Sequence, residues 1–269
     1  MVCYSLRLVV LLLTRITADR RHTICKWLTC TDPSGIHQTT ISLHEDHTSG
    51  WVLRSSECQA WLADQFRCLW IHGIPGSGKS VLAAYLIQQI DKHCRQRSRY
   101  ASVFYYCYFG NNHDESTHVL RWFISQLCRQ SEYVPTGLVH IYYTGRQPGH
   151  SVLLTILEDV LRTYDKVFLL IDALDESNPR QPLLDLMKTF VTDARFSKIQ
   201  LLTTSREYLE IEEVMKPISV QIPMDHELIR EDIRVYVRSV METNRDFRRL
   251  PAELKAHIER KLTCGAKGM

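Results

Sequence analysis

The chain has 269 residues, 45% of them hydrophobic and 23% charged, with a formal net charge of +3; these globular values exclude extensive disorder, collagen-like repeats and mucin-like composition. At about 150 residues per domain, that length holds one full domain plus a remnant, or two small ones. So small a charge gives no field that argues for nucleic acid or an anionic membrane as a partner. Nine cysteines, an odd number with no C-x-x-C pair, signal no zinc site and fit a reducing compartment, hence a cytoplasmic localisation.

Leu8 to Leu13 reads L-V-V-L-L-L between Arg7 and Arg15. It is too short to span a bilayer, and Ile16-Thr17-Ala18-Asp19 is a poor cleavage site, so a buried or partner-facing helix is expected rather than a signal peptide. Thr29 to Gly50 is rich in Thr, Ser, His, Asp and Gly and reads as a connecting segment. Ser55 to Asp64 looks helical, and Cys68 to His72 is a short apolar run that stops at Gly73, a buried-strand signal. Ser80 to Ile90 places Val81, Leu82, Tyr85, Leu86 and Ile90 at helical spacing, so one face docks on a sheet.

Val103 to Phe109 predicts a second strand. A polar tip follows, then a helix capped by Ser116 or Thr117 with Val119, Leu120, Phe123, Ile124 and Leu127 as its stripe. Ser131 to Gly149, with its prolines and glycines, predicts an irregular connection, and Val152 to Leu161 an amphipathic helix. Val167 to Ile171 and Ile199 to Leu202 read as buried parallel strands. Leu183 to Val191 supplies the crossover helix between them, and Ile218 to Ile222 a fifth strand. From Asp225 the pattern turns helical, with Ile229, Ile233, Tyr236, Val237 and Val240 on one face, and Pro251 opens a further helix. The alternation predicts an α/β fold, a three-layer αβα P-loop NTPase with a five-stranded parallel sheet, followed by an incomplete C-terminal helical segment. Its expected units are residues 1–45 (helix and linker), 46–224 (NTPase core) and 225–269 (helical).

Gly73-Ile74-Pro75-Gly76-Ser77-Gly78-Lys79-Ser80 matches G-x-x-x-x-G-K-[S/T]. Glycines let the backbone bend so that successive N–H groups point at phosphate oxygens, the helix N-terminus adds its dipole, Lys79 supplies a point charge and Ser80 offers a hydroxyl to Mg2+. The nucleotide-binding residues are therefore Gly73 to Ser80 together with Val81. Asp172, at the carboxyl end of a strand beside that loop, suits a magnesium-bound water, so Ser80 and Asp172 form the expected metal pair. Asp175 and Glu176 lie one short turn further, placed to orient or deprotonate a water attacking the γ-phosphate. Arg206, after Thr203-Thr204-Ser205, falls on the same sheet edge, where a guanidinium contacts the γ-phosphate or makes a surface salt bridge. His44, His47, His113 and His118 have no ligand spacing and read as surface residues, as does the cationic run Arg245, Arg248 and Arg249.

Together Trp51-Val52-Leu53, the loop Gly73 to Ser80, Phe168-Leu169-Leu170-Ile171-Asp172-Ala173-Leu174-Asp175-Glu176 and Leu202-Thr203-Thr204-Ser205-Arg206 resemble the NACHT class of signal-transduction (STAND) ATPases, in particular the fungal nephrocystin-type members, over about residues 25 to 269. The resemblance implies a switch in which ADP holds a closed monomer, and exchange for ATP opens the protein so that copies associate and bring effector domains together. It also implies a winged-helix region and sensor repeats beyond Met269, so the sequence reads as a core cut before them. An unfinished helical segment of this kind is expected to expose Ile229, Ile233, Tyr236 and Val240 and to self-associate. It is also expected to discriminate ADP from ATP weakly.

The expected base is adenine, hence ATP and ADP, since no Asn/Thr-Lys-x-Asp guanine-reading motif is present, while the resembled family also includes proteins that accept GTP. Two other functions compete with the slow ATPase switch: a catalytically weak nucleotide-binding scaffold, and a P-loop small-molecule kinase. The second is disfavoured by the lack of space for an arginine-bearing lid before Ser205.

Overall fold

Parallel strands buried on both faces need apolar side chains pointing both ways. The computed structural model, which describes residues 17–29, 31–108, 110, 114–224 and 226–265, meets that need in five strands. They are β1 (Cys68–His72), β2 (Tyr100–Tyr106), β3 (Lys166–Asp172), β4 (Ile199–Ser205) and β5 (Val220–Pro223), in the spatial order β2-β3-β4-β1-β5. All pairings are parallel, with Leu69 opposite both Leu202 and Val220 and Tyr106 opposite Asp172.

Side chains alternate between two apolar layers. Trp70, Val103, Tyr105, Leu169, Ile171 and Leu201 face one side, whereas Leu69, Ile71, Phe168, Leu170, Leu202 and Ile222 face the other. The helices sort accordingly: α1 (Ala18–Leu28), α2 (Ser34–Ile41), α3 (Gly50–Arg54), α4 (Ser56–Leu62), α5 (Lys79–Arg95), α6 (Glu115–Gln130), α7 (Thr136–Thr144), α8 (His150–Leu161), α9 (Gln181–Thr192) and α10 (Leu209–Met215). The first layer is covered by α1, α6, α8 and α9, the second by α4 and α5. Within it Trp61 meets the Phe168 ring edge-on at 5.4 Å, and both are wholly buried. A fully buried side chain of this kind contributes about 1.5–3 kcal/mol. The result is the three-layer αβα P-loop NTPase fold expected from the sequence.

Several local expectations are corrected. Residues 29–50 are no simple linker: α2 forms there, and its His37 is buried against Phe104, with Nδ1 3.0 Å from the Tyr106 hydroxyl. Strand β2 starts at Tyr100, three residues before the expected point, and ends at Tyr106. The next helix is capped by Asp114, whose side chain accepts from the Ser116 N–H, rather than by Ser116 or Thr117. Inside the expected irregular connection lies α7, which Pro135 opens and Gly145 closes in a left-handed conformation, φ 68°. His44 and His118 are half-buried, His44 being stacked on Tyr85. The apolar run Leu8–Leu13 and His113 lie outside the described residues.

Beyond β5 come α11 (His226–Thr243), α12 (Arg245–Arg248) and α13 (Ala252–Gly265). Glu259 ties α13 to α11 by accepting from Arg234 Nε at 2.8 Å and Arg238 Nε at 2.9 Å. The apolar stripe of α11 does not simply face solvent. Ile229 is buried, Ile233 packs on the second apolar layer, and Tyr236 stays 50% exposed. Ile229, Ile233 and Tyr236 line one wall of a cavity whose other wall holds Gly76, Gly78, Val81 and Leu82. No helix of the described residues is long and apolar enough to cross a membrane.

Candidate functional site

The glycine-rich turn joins β1 to α5, as its sequence requires. Gly78, the N-cap of α5, has φ 86°, a backbone region that side chains rarely tolerate. Gly73 is needed for a different reason. A Cβ there would lie 3.1 Å from Met224 Cβ and 3.2 Å from the Met224 carbonyl oxygen, so the chain after β5 could not pass so close. Lys79 folds back over the loop, donating to the carbonyls of Gly73 at 2.9 Å and Ile74 at 2.7 Å. Burial pushes its pKa down, with the Asp175 and Asp172 carboxylates opposing that fall. The ammonium thus rests on carbonyl oxygens, weaker partners than a phosphate.

Asp172 ends β3 on the same face as α5, almost wholly buried. Its Oδ1 accepts from the Thr204 hydroxyl at 2.5 Å. Burial pushes its carboxyl pKa up, and hydrogen bonds from Thr204 and Ser80 pull against that rise. A carboxylate and a hydroxyl from two neighbouring elements form a hard oxygen donor set that fits Mg2+. No cluster of three or more His, Cys, Asp or Glu suited to a metal occurs among the described residues.

Directly after Asp172 the chain turns sharply. Ala173 has φ 59° and ψ 52°, a left-handed conformation that costs a non-glycine residue roughly 1–2 kcal/mol, and its N–H donates to Thr204 Oγ1 at 2.9 Å. A short 3-10 turn, Leu174–Glu176, follows. It buries Asp175, whose Oδ1 accepts from the Arg206 main-chain N–H at 3.0 Å and whose Oδ2 lies 3.0 Å from Arg206 Nε. Glu176 is half-buried on the same turn. Arg180 donates to the Asp175 carbonyl at 2.6 Å and lies over the Tyr208 ring.

The phosphate loop, Asp172, Asp175, Glu176 and Arg206 therefore lie on the carboxyl edge of the sheet, but with unequal partners. Asp175 is committed to Arg206. Lys79 is committed to the loop. Thr204 stands in the quoted strand-end motif but was given no role there, although it bonds both Asp172 and Ala173; the signal was a run of hydroxyl residues ending an apolar strand. His72, with Nδ1 2.6 Å from Glu207 Oε1 and its ring 4.3 Å from that of Trp70, was also missed.

Beside the loop lies a cavity of about 780 Å3 lined by Gly76, Ser77, Gly78, Val81, Leu82, Leu43, Ser49, Trp51, Ile229, Asp232, Ile233 and Tyr236 among others. A nucleoside would be held against these largely apolar walls.

The sequence profile of the family described as "Nephrocystin 3, N-terminal" matches residues 47–206, from just before α3 to Arg206. The chain is 28% identical over 207 residues to the vegetative incompatibility protein HET-E-1 of Podospora anserina, an alignment covering 73% of this chain and 15% of that protein. Among solved structures it is similar in fold to the Walker-type ATPase PABY2304 of Pyrococcus abyssi, with a TM-score of 0.50 at 14% identity, over 83% of this chain and 66% of that one. The chain thus spans less than two thirds of the length of each of these proteins.

Proposed function

The chain belongs to the nephrocystin 3 N-terminal family of NACHT-type P-loop NTPases, and from that membership we propose that it binds ATP and ADP with Mg2+, hydrolyses ATP slowly, and uses the bound nucleotide to control self-association. One observation supports this reading above the others. The phosphate loop, Asp172, Glu176 and the Arg206–Asp175 pair stand on one sheet edge beside a cavity of nucleoside size.

The loop N–H groups and the N-terminus of α5 receive the phosphates, and Lys79 exchanges carbonyl partners for phosphate oxygens. Ser80 and Asp172 would hold Mg2+, which supplies charge neutralisation between the phosphates when bound. Glu176 orients the attacking water and takes its proton. Arg206 leaves Asp175 when a γ-phosphate offers a stronger partner, which makes the pair the sensor of the third phosphate. Residues 46–224 are the proposed nucleotide-binding unit, and residues 225–269 the proposed helical unit. The described cysteines are all free thiols, which supports a reducing compartment and the cytoplasm as the site of action.

A second reading, a scaffold that holds nucleotide without turnover, is favoured by the closed Asp175–Arg206 pair.

The test is thermal unfolding with Mg2+ and ADP or ATP. Ligand at about one hundred times its Kd stabilises by about 2.7 kcal/mol, a Tm rise of roughly 5–10 °C for a chain of this size. Lys79→Ala should lose most of that rise, and an unchanged rise would refute the site. Light scattering with each nucleotide reads the association, and phosphate release distinguishes switch from scaffold.

A further inference from the structure

Among the described charged groups that line the cavity beside the phosphate loop, Asp232 is the one with hydrogen-bond partners across it. Asp232, on α11, accepts the Ser49 main-chain N–H at 2.7 Å and the Trp51 indole N–H at 3.0 Å, both on Oδ2. Ser49 is in a left-handed conformation, φ 65°, so the backbone bends to bring its N–H to that oxygen. Asp232, Ser49 and Trp51 all line the cavity. A carboxylate offers about four acceptor sites on two oxygens, and here both protein donors fall on one of them. Oδ1 has no hydrogen-bond partner among the described residues. Among the described residues, the other charged side chains lining the cavity are Glu45 and Lys261. Burial pushes the Asp232 carboxyl pKa up, opposed by its bonds to Ser49 and Trp51, so the group has lost water that its own chain only half replaces.

A nucleotide with its phosphates on Gly76 to Gly78 must place its nucleoside in the adjoining space, and the cavity is that space. Its apolar walls, Val81, Leu82, Ile229 and Ile233, suit the faces of a base but cannot satisfy its polar edge. We infer that Asp232 is a specificity-determining residue that accepts, through Oδ1, a hydrogen bond from a donor of the nucleoside, either the exocyclic amine of the base or a ribose hydroxyl. The inference rests on the nucleotide reading above. It adds that one carboxylate both fastens α11 to the segment before β1 and recognises the ligand lying between them.

The geometry makes Asp232→Asn informative. Ser49 N–H and Trp51 N–H require an acceptor, so the amide oxygen stays on them and the amide NH2 takes the place of Oδ1. An acceptor facing the ligand becomes a donor, and a nucleoside donor there meets another donor.

The experiment is titration calorimetry on the full chain with Mg2+ and four ligands: ADP, 2′-deoxy-ADP, 3′-deoxy-ADP and the diphosphate of purine riboside, which lacks the exocyclic amine. For the wild type, at least one analogue should bind about tenfold to a hundredfold more weakly than ADP, the range for a hydrogen bond to a charged group. Asp232→Asn should weaken ADP by a similar factor and leave that analogue within about threefold of its wild-type affinity, so that the discrimination collapses. A loss confined to a deoxy analogue assigns the bond to the ribose, and one confined to the purine riboside assigns it to the base. Trp51→Phe, which frees the carboxylate from one of its anchors, serves if the Asn variant does not fold, and should weaken ADP more than the analogue. Equal wild-type binding of all four ligands, or equal weakening of all four in the variant, would make Asp232 a fastener only and overturn the inference. A wild type that binds none of the ligands would instead remove the nucleotide reading on which it stands.

Discussion

Arg206 holds Asp175 at two points, through its main-chain N–H on Oδ1 and its guanidinium Nε on Oδ2, each at 3.0 Å. The two ends differ in kind. The backbone bond is fixed by the end of β4, whereas the guanidinium, its side chain 40% exposed, can swing away without unfolding anything. Removing only the movable half is the way to test it. Arg206→Ala should erase any preference for ATP over ADP. Asp175→Asn, which weakens the competing partner, should raise relative ATP affinity by about threefold to tenfold, less than a buried ion pair would give because the guanidinium is solvated. Calorimetry with both nucleotides decides; unaltered relative affinities in both variants would rule out a sensing role.

Glu176 carries the second prediction. With Asp175 Oδ1 kept by the Arg206 main-chain N–H even after the guanidinium has left, the water-activating role falls to the carboxylate next along the turn. Glu176→Gln should keep nucleotide affinity within a few-fold while phosphate release drops by about 10² to 10⁴, the usual value of a positioned base. If Asp175→Asn gives that drop and Glu176→Gln does not, the roles are reversed.

Asp172 is predicted to oppose stability in the empty protein. Its native carboxyl pKa lies above the ordinary value because burial penalises the charge. The native state therefore binds more protons than the unfolded one in the window between the ordinary and the raised value. Stability falls as pH rises through that window, and the penalty persists above it. Asp172→Asn should leave the Tm of the empty protein unchanged or higher at neutral pH, remove the part of its fall that accompanies rising pH through that window, and abolish the Mg2+-dependent part of the nucleotide-induced rise. A large destabilisation of the empty variant would contradict this account.

The last substitution concerns the first helix. Ile24, Cys25 and Leu28 are wholly buried against the α6 layer, and Ser125 Oγ donates to the Cys25 carbonyl at 3.2 Å. Leu28→Ala should cost about 2–5 kcal/mol, measured by urea unfolding. A loss below about 1 kcal/mol would mean that α1 is a peripheral attachment, since exposed sites change stability only by about 0.5 kcal/mol.

Strands β1, β3 and β4 were legible because each is built on a short apolar run buried on both faces of the sheet. The loop was legible because phosphate binding requires its particular residues in that order. What escaped was structure held by long-range partners. Helix α2 has no apolar stripe to announce it: Ile36 is exposed, and its buried residue is His37, paired with Tyr106, 69 residues away. Asp232 reads in the sequence as one more polar residue on an amphipathic helix, and its meaning depends on Ser49 and Trp51, 183 and 181 residues away. The pairing of Arg206 with Asp175 was hidden for the same reason, although each residue was noticed separately.

The division of the apolar side chains into two layers on opposite faces of the sheet also sets how a bound ligand would be felt in time. The cavity, Asp172 and Thr204 stand on the α5 face, and the layer formed by α1, α6, α8 and α9 lies behind the sheet. Local opening of the two halves need not then be coupled: occupancy raises the free energy of openings that break the cavity walls and leaves openings behind the sheet unchanged. Amide exchange with and without ADP should slow in α3, the start of α5 and α11 while α6 and α8 keep their rates, so that a single chain has one half whose fluctuations answer to nucleotide and another that keeps its own clock.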